Sequence, residues 1–334
     1  MPGKIRWGLL STANINKALI NPIRQAERSE LVAVASRDAG KAKAYAAEWN
    51  IPKAHGSYEA LLADPDIDVI YISLPNALHC EWTVKAAQAG KHVLCEKPIT
   101  ITLEELDQVE RAASANRVTI FEAFMYLHHP QTRRAKALIQ AGKIGQVQQI
   151  NSWFHFYLPP ERAENIRLSA ALSGGSLWDV GVYPNSMAIT MAGAGAPVEV
   201  YADQIIGETG VDVAMRAQLK FGNGVVAQIS SGFRTPFREA AYLVGDAGMI
   251  TINQPWKPGL EGKQDSQIVL TSRSGAEETI VFPAIDPYLC EVQVMEACLL
   301  DGAEPVLPLS QSKAFLKSVL AMVQSATLGQ VVYP

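Results

Sequence analysis

The chain has 334 residues, enough for two domains of roughly 150 residues each, and its 48% hydrophobic and 19% charged content suits a globular protein with a full core. A net charge of −4 and the lack of any Lys/Arg-rich run argue against a nucleic-acid partner, and no apolar run reaches the ~18 residues of a membrane span. The N-terminus lacks an apolar segment before a small-residue cleavage site, and Cys80, Cys95, Cys290 and Cys298 show no close pairing, which together predict a cytoplasmic protein with reduced thiols.

Strand and helix signals alternate through the first third. Ile5–Leu10 predicts a strand that ends in a Gly/Ser/Thr turn, followed by a helix over Asn14–Ala26. Leu31–Ala35 reads as a strand buried on both faces, Lys41–Trp49 and Tyr58–Ala63 as helices, and Val69–Ser73 as a third strand. Glu81–Ala89 is helical and stops at Gly90. His92–Cys95 and Val118–Glu122 are strands flanking a helix over Leu103–Ala115. Such alternation implies a parallel sheet with helices on both faces and right-handed connections.

Beyond about residue 126 the pattern changes. A helix over Thr132–Ala141, a strand over Val147–His155, a polar irregular stretch and a helix near Pro184–Met191 come first. Strands over Val198–Ile206, Val213–Phe221, Gly224–Phe233, Ala240–Gly245 and Met249–Asn253 follow with short turns, which favours antiparallel pairing. Glu291–Leu300 and Gln311–Ala326 are amphipathic helices. The expected organisation is α/β: a doubly wound Rossmann domain over residues 1–125, then an α/β domain with an open, mostly antiparallel sheet over 126–334, whose last helix can pack back on the first.

The turn after the first strand, Gly8-Leu9-Leu10-Ser11-Thr12-Ala13-Asn14-Ile15, is a degenerate form of the Gly-rich dinucleotide fingerprint. Two of its glycines are missing, and a plain strand-to-helix turn would also need small residues. Its place in the first βαβ unit favours pyrophosphate binding by backbone N–H groups and a helix N-terminus. The second strand ends Ala35-Ser36-Arg37, where an NAD enzyme usually carries an acid for the ribose 2′-hydroxyl. Ser36 and Arg37 can instead bind a 2′-phosphate, so NADP is the expected cofactor, while Asp38 keeps NAD possible. Glu96-Lys97-Pro98 stands at the carboxyl end of the fourth strand, where ligands bind in such sheets. A lysine there can hold a substrate oxygen and stabilise its charge.

The ordered set of the Gly8–Ile15 turn, Pro75-Asn76-Ala77-Leu78-His79, Glu96-Lys97-Pro98, Ala141-Gly142-Lys143-Ile144-Gly145 and the segment from Gly174-Gly175 through Asp179-Val180-Gly181-Val182-Tyr183 resembles the Gfo/Idh/MocA family over most of the chain. Tyr183, where the inositol dehydrogenase branch has histidine, is similar to the branch of glucose–fructose oxidoreductase, NADP-dependent D-xylose dehydrogenase and dimeric dihydrodiol dehydrogenase. Asn165-Ile166-Arg167-Leu168 also resembles that branch, with Ile166 in place of its tryptophan. The resemblance implies an NADP(H)-dependent enzyme moving a hydride to or from a CH–OH carbon of a sugar, polyol or dihydrodiol, and a homodimer or homotetramer built on the C-terminal sheet. The remaining alternatives are a lyase or glycosidase relative and a non-catalytic nucleotide-binding sensor.

Lys97, Asp179 and Tyr183 are the expected catalytic residues. Asp179 and Tyr183, four apart, share a face in a helical turn. Tyr183 is the candidate acid/base, with Lys97 lowering its pKa and binding the reacting oxygen; the reverse assignment, Lys97 carrying the proton, is chemically sound too. Arg167 is expected to bind substrate, and Asp179 to orient substrate or Lys97. Leu74, Pro75, Asn76, His79 and Glu96 join the turn as cofactor-side residues, although a lone His is more often structural. His128-His129 lacks ligand-spaced partners, so no metal is expected. Trp153, Phe154, Phe156 and Tyr157 are expected to serve core packing or an interface, with stacking on a sugar the alternative for some of them, and Tyr201, Phe221, Phe233 and Tyr242 to form apolar sheet surface.

Overall fold

A computed structural model describes residues 3–162 and 164–334. The chain forms two compact units, Met1–Met125 with Tyr288–Leu309, and Tyr126–Pro287 with Ser310–Pro334. Sequence reading drew one break near residue 125; the helix Pro287–Asp301 falls largely in the first unit and the helix Leu309–Leu328 in the second.

The first unit holds six parallel strands: β1 (Ile5–Leu10), β2 (Ser29–Ala35), β3 (Lys53–His55), β4 (Val69–Ile72), β5 (His92–Glu96) and β6 (Ile120–Ala123). Their order is β3-β2-β1-β4-β5-β6, the doubly wound Rossmann order. The strand order reverses between β1 and β4, and ligands bind such sheets outside the carboxyl ends at that point. β4 is buried at every residue and β1 nearly so, which explains their unbroken apolar runs. The helix Leu103–Asn116 starts on a capping box that was readable in sequence: Thr102 accepts from the backbone of Glu105, whose carboxylate reaches back to Thr102 N. β3 has three residues with no periodic signal, and sequence reading missed it.

The second unit holds an eight-stranded sheet: β7 (Val147–Tyr157), β8 (Glu199–Ile206), β9 (Asp212–Lys220), β10 (Val226–Gly232), β11 (Arg234–Gly245), β12 (Gly248–Ile252), β13 (Ser266–Ser272) and β14 (Glu277–Phe282). Their order is β14-β13-β12-β11-β7-β10-β9-β8. Only β7 and β10 pair in parallel; the other pairs are antiparallel. The helix Val182–Ala192 is buried along its whole length, so it shows no polar face, and it packs on β7 and β10. The C-terminal helix is tied to it where Asn185 Nδ2 donates to Phe315 O (3.0 Å) and Gln311 Nε2 to Thr190 Oγ1 (2.8 Å).

The sheet's opposite face is largely open. Tyr201 and Ile205 on β8 stand about half exposed, and Trp153 on β7 packs against Tyr242 on β11, ring centroids 5.6 Å apart. Phe221 and Phe233 do not belong to this surface, contrary to expectation. Both are buried, and Phe233 packs with Leu158, Leu168, Val180, Val211 and Val213. Strand alternation sends them to the covered face.

Candidate active site

In the first unit, the turn after β1 is held by a closed polar ring. Ser11 sits at φ 141°, a left-handed conformation that usually favours glycine. Its hydroxyl lies 2.8 Å from Ser73 Oγ and accepts from Ala13 N at 3.1 Å. Ser73 Oγ donates to Asn16 Oδ1 (2.6 Å), and Asn16 Nδ2 donates to Ser11 O (2.8 Å). All three residues are buried, so side-chain bonds offset the strain that a missing glycine leaves. The ring directs the following residues outward, and the backbone N–H groups of Thr12, Asn14 and Ile15 have no partner among the described residues. They stand at the open N-terminus of the helix Asn16–Gln25, an arrangement suited to phosphate oxygens. Gly8 is needed for packing, since a Cβ there would lie 3.1–3.2 Å from Ile67 and Leu61 side chains.

Ser36 and Arg37 follow β2. Ser36 is buried, and its hydroxyl accepts from Asp38 N at 3.2 Å. Arg37 is exposed, within hydrogen-bonding reach of the Tyr58 hydroxyl, whose pKa burial raises while Arg37 pulls it down. The Asp38 carboxylate caps the helix Ala39–Glu48 by accepting from Lys41 N (3.0 Å). The acid that could favour NAD is thereby engaged in a helix cap.

Leu74, Pro75 and Asn76 follow β4, all half-buried. His79 is fully buried, with Nδ1 2.7 Å from Pro98 O and Nε2 2.7 Å from Leu74 O. Both ring nitrogens therefore face backbone carbonyls, one of them donating in the neutral ring, and His79 ties the end of β4 to the segment after β5. Burial holds its pKa below the usual histidine value, with the Lys97 charge acting the same way against the two carbonyls. Its part on the cofactor side is to position backbone rather than to offer a free nitrogen. Glu96 accepts from Tyr71 Oη at 2.5 Å, and Lys97, half-buried, follows it before a cis Lys97–Pro98 bond. Sequence reading found neither Ser73 and Asn16 nor Tyr71, because a hydroxyl or amide in an apolar run gives no local sign of its distant partner.

The second unit assembles Arg167, Asp179 and Tyr183. Residues Leu177–Gly181 form a π-helical turn that runs directly into the helix Val182–Ala192; such turns are frequent at functional sites. Asp212 anchors it, accepting from Ser176 Oγ (2.6 Å) and Leu177 N (2.9 Å). Gly175, at φ 117°, passes so close that a Cβ would lie 2.2 Å from Asp212 Oδ1. Asp179 Oδ2 accepts from Arg167 Nε at 2.7 Å, so the two residues expected to bind or orient substrate form an ion pair.

Tyr183 is buried in an aromatic wall. Its ring centroid lies 5.6 Å from Phe154, 5.8 Å from Trp256 and 5.9 Å from Tyr126. Trp256 is fixed by donation from Nε1 to Trp153 O (3.1 Å), and Tyr126 by a 2.8 Å bond to Ser186 Oγ. Tyr126 and Trp256 were not foreseen, since they converge on Tyr183 from positions far apart in the chain. His129 Nδ1 caps the helix Pro130–Gln140 by accepting from Gln131 N (3.1 Å).

Two segments match family profiles: residues 5–124 the oxidoreductase family with an NAD-binding Rossmann fold, and residues 132–251 the GFO/IDH/MocA C-terminal domain. The chain is 37% identical over 328 residues, 98% of each chain, to the D-xylose 1-dehydrogenase (NADP(+)) 2 of Haloferax volcanii. It is 30% identical over 344 residues, 98% of this chain and 99% of the relative, to the trans-1,2-dihydrobenzene-1,2-diol dehydrogenase of Xenopus tropicalis. Among solved structures, a 3-ketoreductase from Actinomadura kijaniata in complex with NADP and TDP-benzene aligns with TM-score 0.88 at 29% identity, covering 97% of this chain and 98% of that one. The chain belongs to the Gfo/Idh/MocA oxidoreductase family.

Proposed function

We propose that this protein is an NADP(H)-dependent oxidoreductase acting on the CH–OH or C=O group of a sugar, polyol or dihydrodiol. The observation that carries this reading is Tyr183: a phenol able to exchange a proton, one turn from the Asp179–Arg167 pair and set in an aromatic wall. Full-length kinship to dehydrogenases named for NADP(+), D-xylose and a dihydrodiol supports it.

The first unit is assigned the dinucleotide. The unpartnered N–H groups of Thr12, Asn14 and Ile15 fit a pyrophosphate, with Gly8, Ser11 and Ala13 shaping the turn. Ser36 and Arg37 fit a 2′-phosphate. Leu74, Pro75, Asn76, His79 and Glu96 shape the carboxyl ends of β4 and β5, from which Lys97 projects. When bound, NADP supplies or accepts the hydride. Tyr183 gives a proton to, or takes one from, the substrate oxygen, and Lys97 is assigned the stabilisation of negative charge on the reacting oxygen. Asp179 and Arg167 orient the substrate's other hydroxyls.

The open face of the eight-stranded sheet is assigned to a second copy of the chain, as a homodimer or homotetramer. A groove of about 400 Å³ lies on it, lined mainly by polar residues, including Asn151, Arg216 and Gln228, with Trp153 and Tyr201, and the half-exposed Tyr201 and Ile205 favour association. Four free cysteines, three of them buried, suit a reducing cytoplasm; no helix among the described residues is long and apolar enough to cross a membrane. The test is a panel of sugars, polyols and dihydrodiols assayed for NADP+ reduction at mildly alkaline pH. Turnover with NADP+ exceeding that with NAD+ is expected; no reduction across the panel would overturn the proposal.

A further inference from the structure

The aromatic wall around Tyr183 contains one acid without an ion-pair partner. Glu239 lies opposite Phe154 in the β7–β11 ladder, so both side chains stand on the same sheet face. Phe154 is stacked on Trp256 at 6.1 Å and meets Tyr183 and Phe237 edge-on at 5.6 and 6.1 Å. Glu239 Oε2 accepts from Trp256 N at 3.4 Å; Oε1 has no hydrogen-bond partner among the described residues. The neighbouring basic residues are committed elsewhere. Arg238 points to the opposite face, its guanidinium 5.5 Å from the Trp153 ring centroid, and Lys257 pairs with Glu261 at 2.5 Å. Burial, only partly offset by the Trp256 N–H and the Lys257 charge, raises the Glu239 pKa to about 7.

A half-buried carboxylate without a neutralising cation is costly, which marks it as a candidate binding group. Its surroundings indicate what it binds. Aromatic faces take the C–H faces of a sugar ring or an aromatic diol, and an ionised carboxylate only accepts hydrogen bonds. We infer that Glu239 is a specificity-determining residue: its free oxygen accepts hydrogen bonds from hydroxyls of a neutral polyhydroxylated substrate lying along the half-buried Phe154 and the exposed Phe237, and its charge rejects substrates bearing a carboxylate or phosphate at that position. The inference rests on the oxidoreductase reading and narrows its substrate class to uncharged sugars and diols.

The test pairs D-glucose with D-glucuronate, aldoses that differ in one charged group, and compares the native protein with Glu239→Gln. Glutamine keeps an acceptor for Trp256 N–H and removes the charge. In the native protein kcat/KM should favour D-glucose by about tenfold or more at about pH 8, a difference of about 1.4 kcal/mol. The preference should shrink at about pH 6, as Glu239 protonates while D-glucuronate stays ionised. In Glu239→Gln, KM for D-glucose should rise about tenfold with kcat within about threefold, and the ionisation near neutrality should leave the kcat/KM profile. Quenching of tryptophan fluorescence by each sugar, with NADP+ present, gives the same comparison without turnover. Loss of quenching in the variant of a native protein that binds sugar but does not oxidise it would uphold the role of Glu239 and remove the redox reading. Full turnover with unchanged KM, pH profile and sugar preference in the variant would do the reverse. If the variant fails to fold, a native D-glucose to D-glucuronate ratio that is constant with pH overturns the inference on its own.

Discussion

Replacing Asn16 by alanine tests whether the polar ring builds the cofactor turn. Asn16 is fully buried and makes two bonds, one to Ser11 O at 2.8 Å and one from Ser73 Oγ at 2.6 Å. Each buried hydrogen bond contributes about 0.5–1.5 kcal/mol net, and each partner left unsatisfied costs about 1–3 kcal/mol. The two bonds share those partners, so the expected loss is about 2–5 kcal/mol, a large part of a domain's stability of about 5–15 kcal/mol. Ser11 at φ 141° then loses the bond that holds its carbonyl, and the N–H groups of Thr12 to Ile15 lose their common aim. Affinity for NADPH and NADH should fall together by about tenfold or more, because the pyrophosphate is common to both. Stability is read from urea unfolding, cofactor affinity from nicotinamide fluorescence. A variant within about 0.5 kcal/mol of the native protein, with unchanged affinity for both cofactors, would refute the assignment of the ring.

Further outcomes are expected. Arg37→Ala should narrow the NADPH-over-NADH preference by about 1–3 kcal/mol, the strength of a charge-assisted hydrogen bond, as measured by direct titration; equal affinities in the native protein would remove the premise. His128 and His129 are buried, and burial pushes their pKa values down to about 3 and about 4. The unfolded chain takes up protons near pH 6.5 that the folded chain refuses. Stability is therefore complete above about pH 6.5 and falls as pH drops toward 3–4, by up to about 1.4 kcal/mol per pH unit for each histidine. Urea unfolding from about pH 7 to about pH 5 should show this slope, flattened in His128→Asn, and an equal slope in that variant would contradict it. Tyr201→Arg places a charge on the open sheet face; light scattering should show it shifting the assembly toward monomer while NADPH binding persists, and a monomeric native protein would count against the interface.

Much of the first unit is readable from local pattern. Buried parallel strands are unbroken apolar runs, and β1 spans the predicted residues. Strands lacking that signature were missed. β14 begins Glu277-Glu278-Thr279, mostly exposed at a sheet edge, and edge strands carry charge. The first half of β11, Arg234 to Glu239, is polar and holds Pro236, so it reads as a loop, and Glu239 was lost with it. Lys97, Asp179 and Tyr183 stand out as candidates by residue type and order alone. The π turn that carries Asp179 and the convergence of Tyr126, Phe154 and Trp256 on Tyr183 depend on contacts between residues roughly 30 to 75 positions apart, for which local spacing has no signal.

We propose that Tyr183 exchanges the proton while Lys97 stabilises charge on the reacting oxygen. This division of roles is tested most directly by kcat and kcat/KM against pH for Tyr183→Phe, Lys97→Met and the double variant, with Asp179→Asn as the substrate-orienting control and NADPH binding followed separately. Tyr183→Phe should lose about 10²–10⁴-fold in the chemical step with NADPH affinity unchanged. Lys97→Met should lose rate and raise the apparent pKa of the remaining proton transfer. The double variant should be little worse than the worse single one, because groups acting as a unit are not additive. Near-normal kcat in Tyr183→Phe, beside an inactive Lys97→Met, would contradict proton exchange by Tyr183 and pass the acid/base role to Lys97.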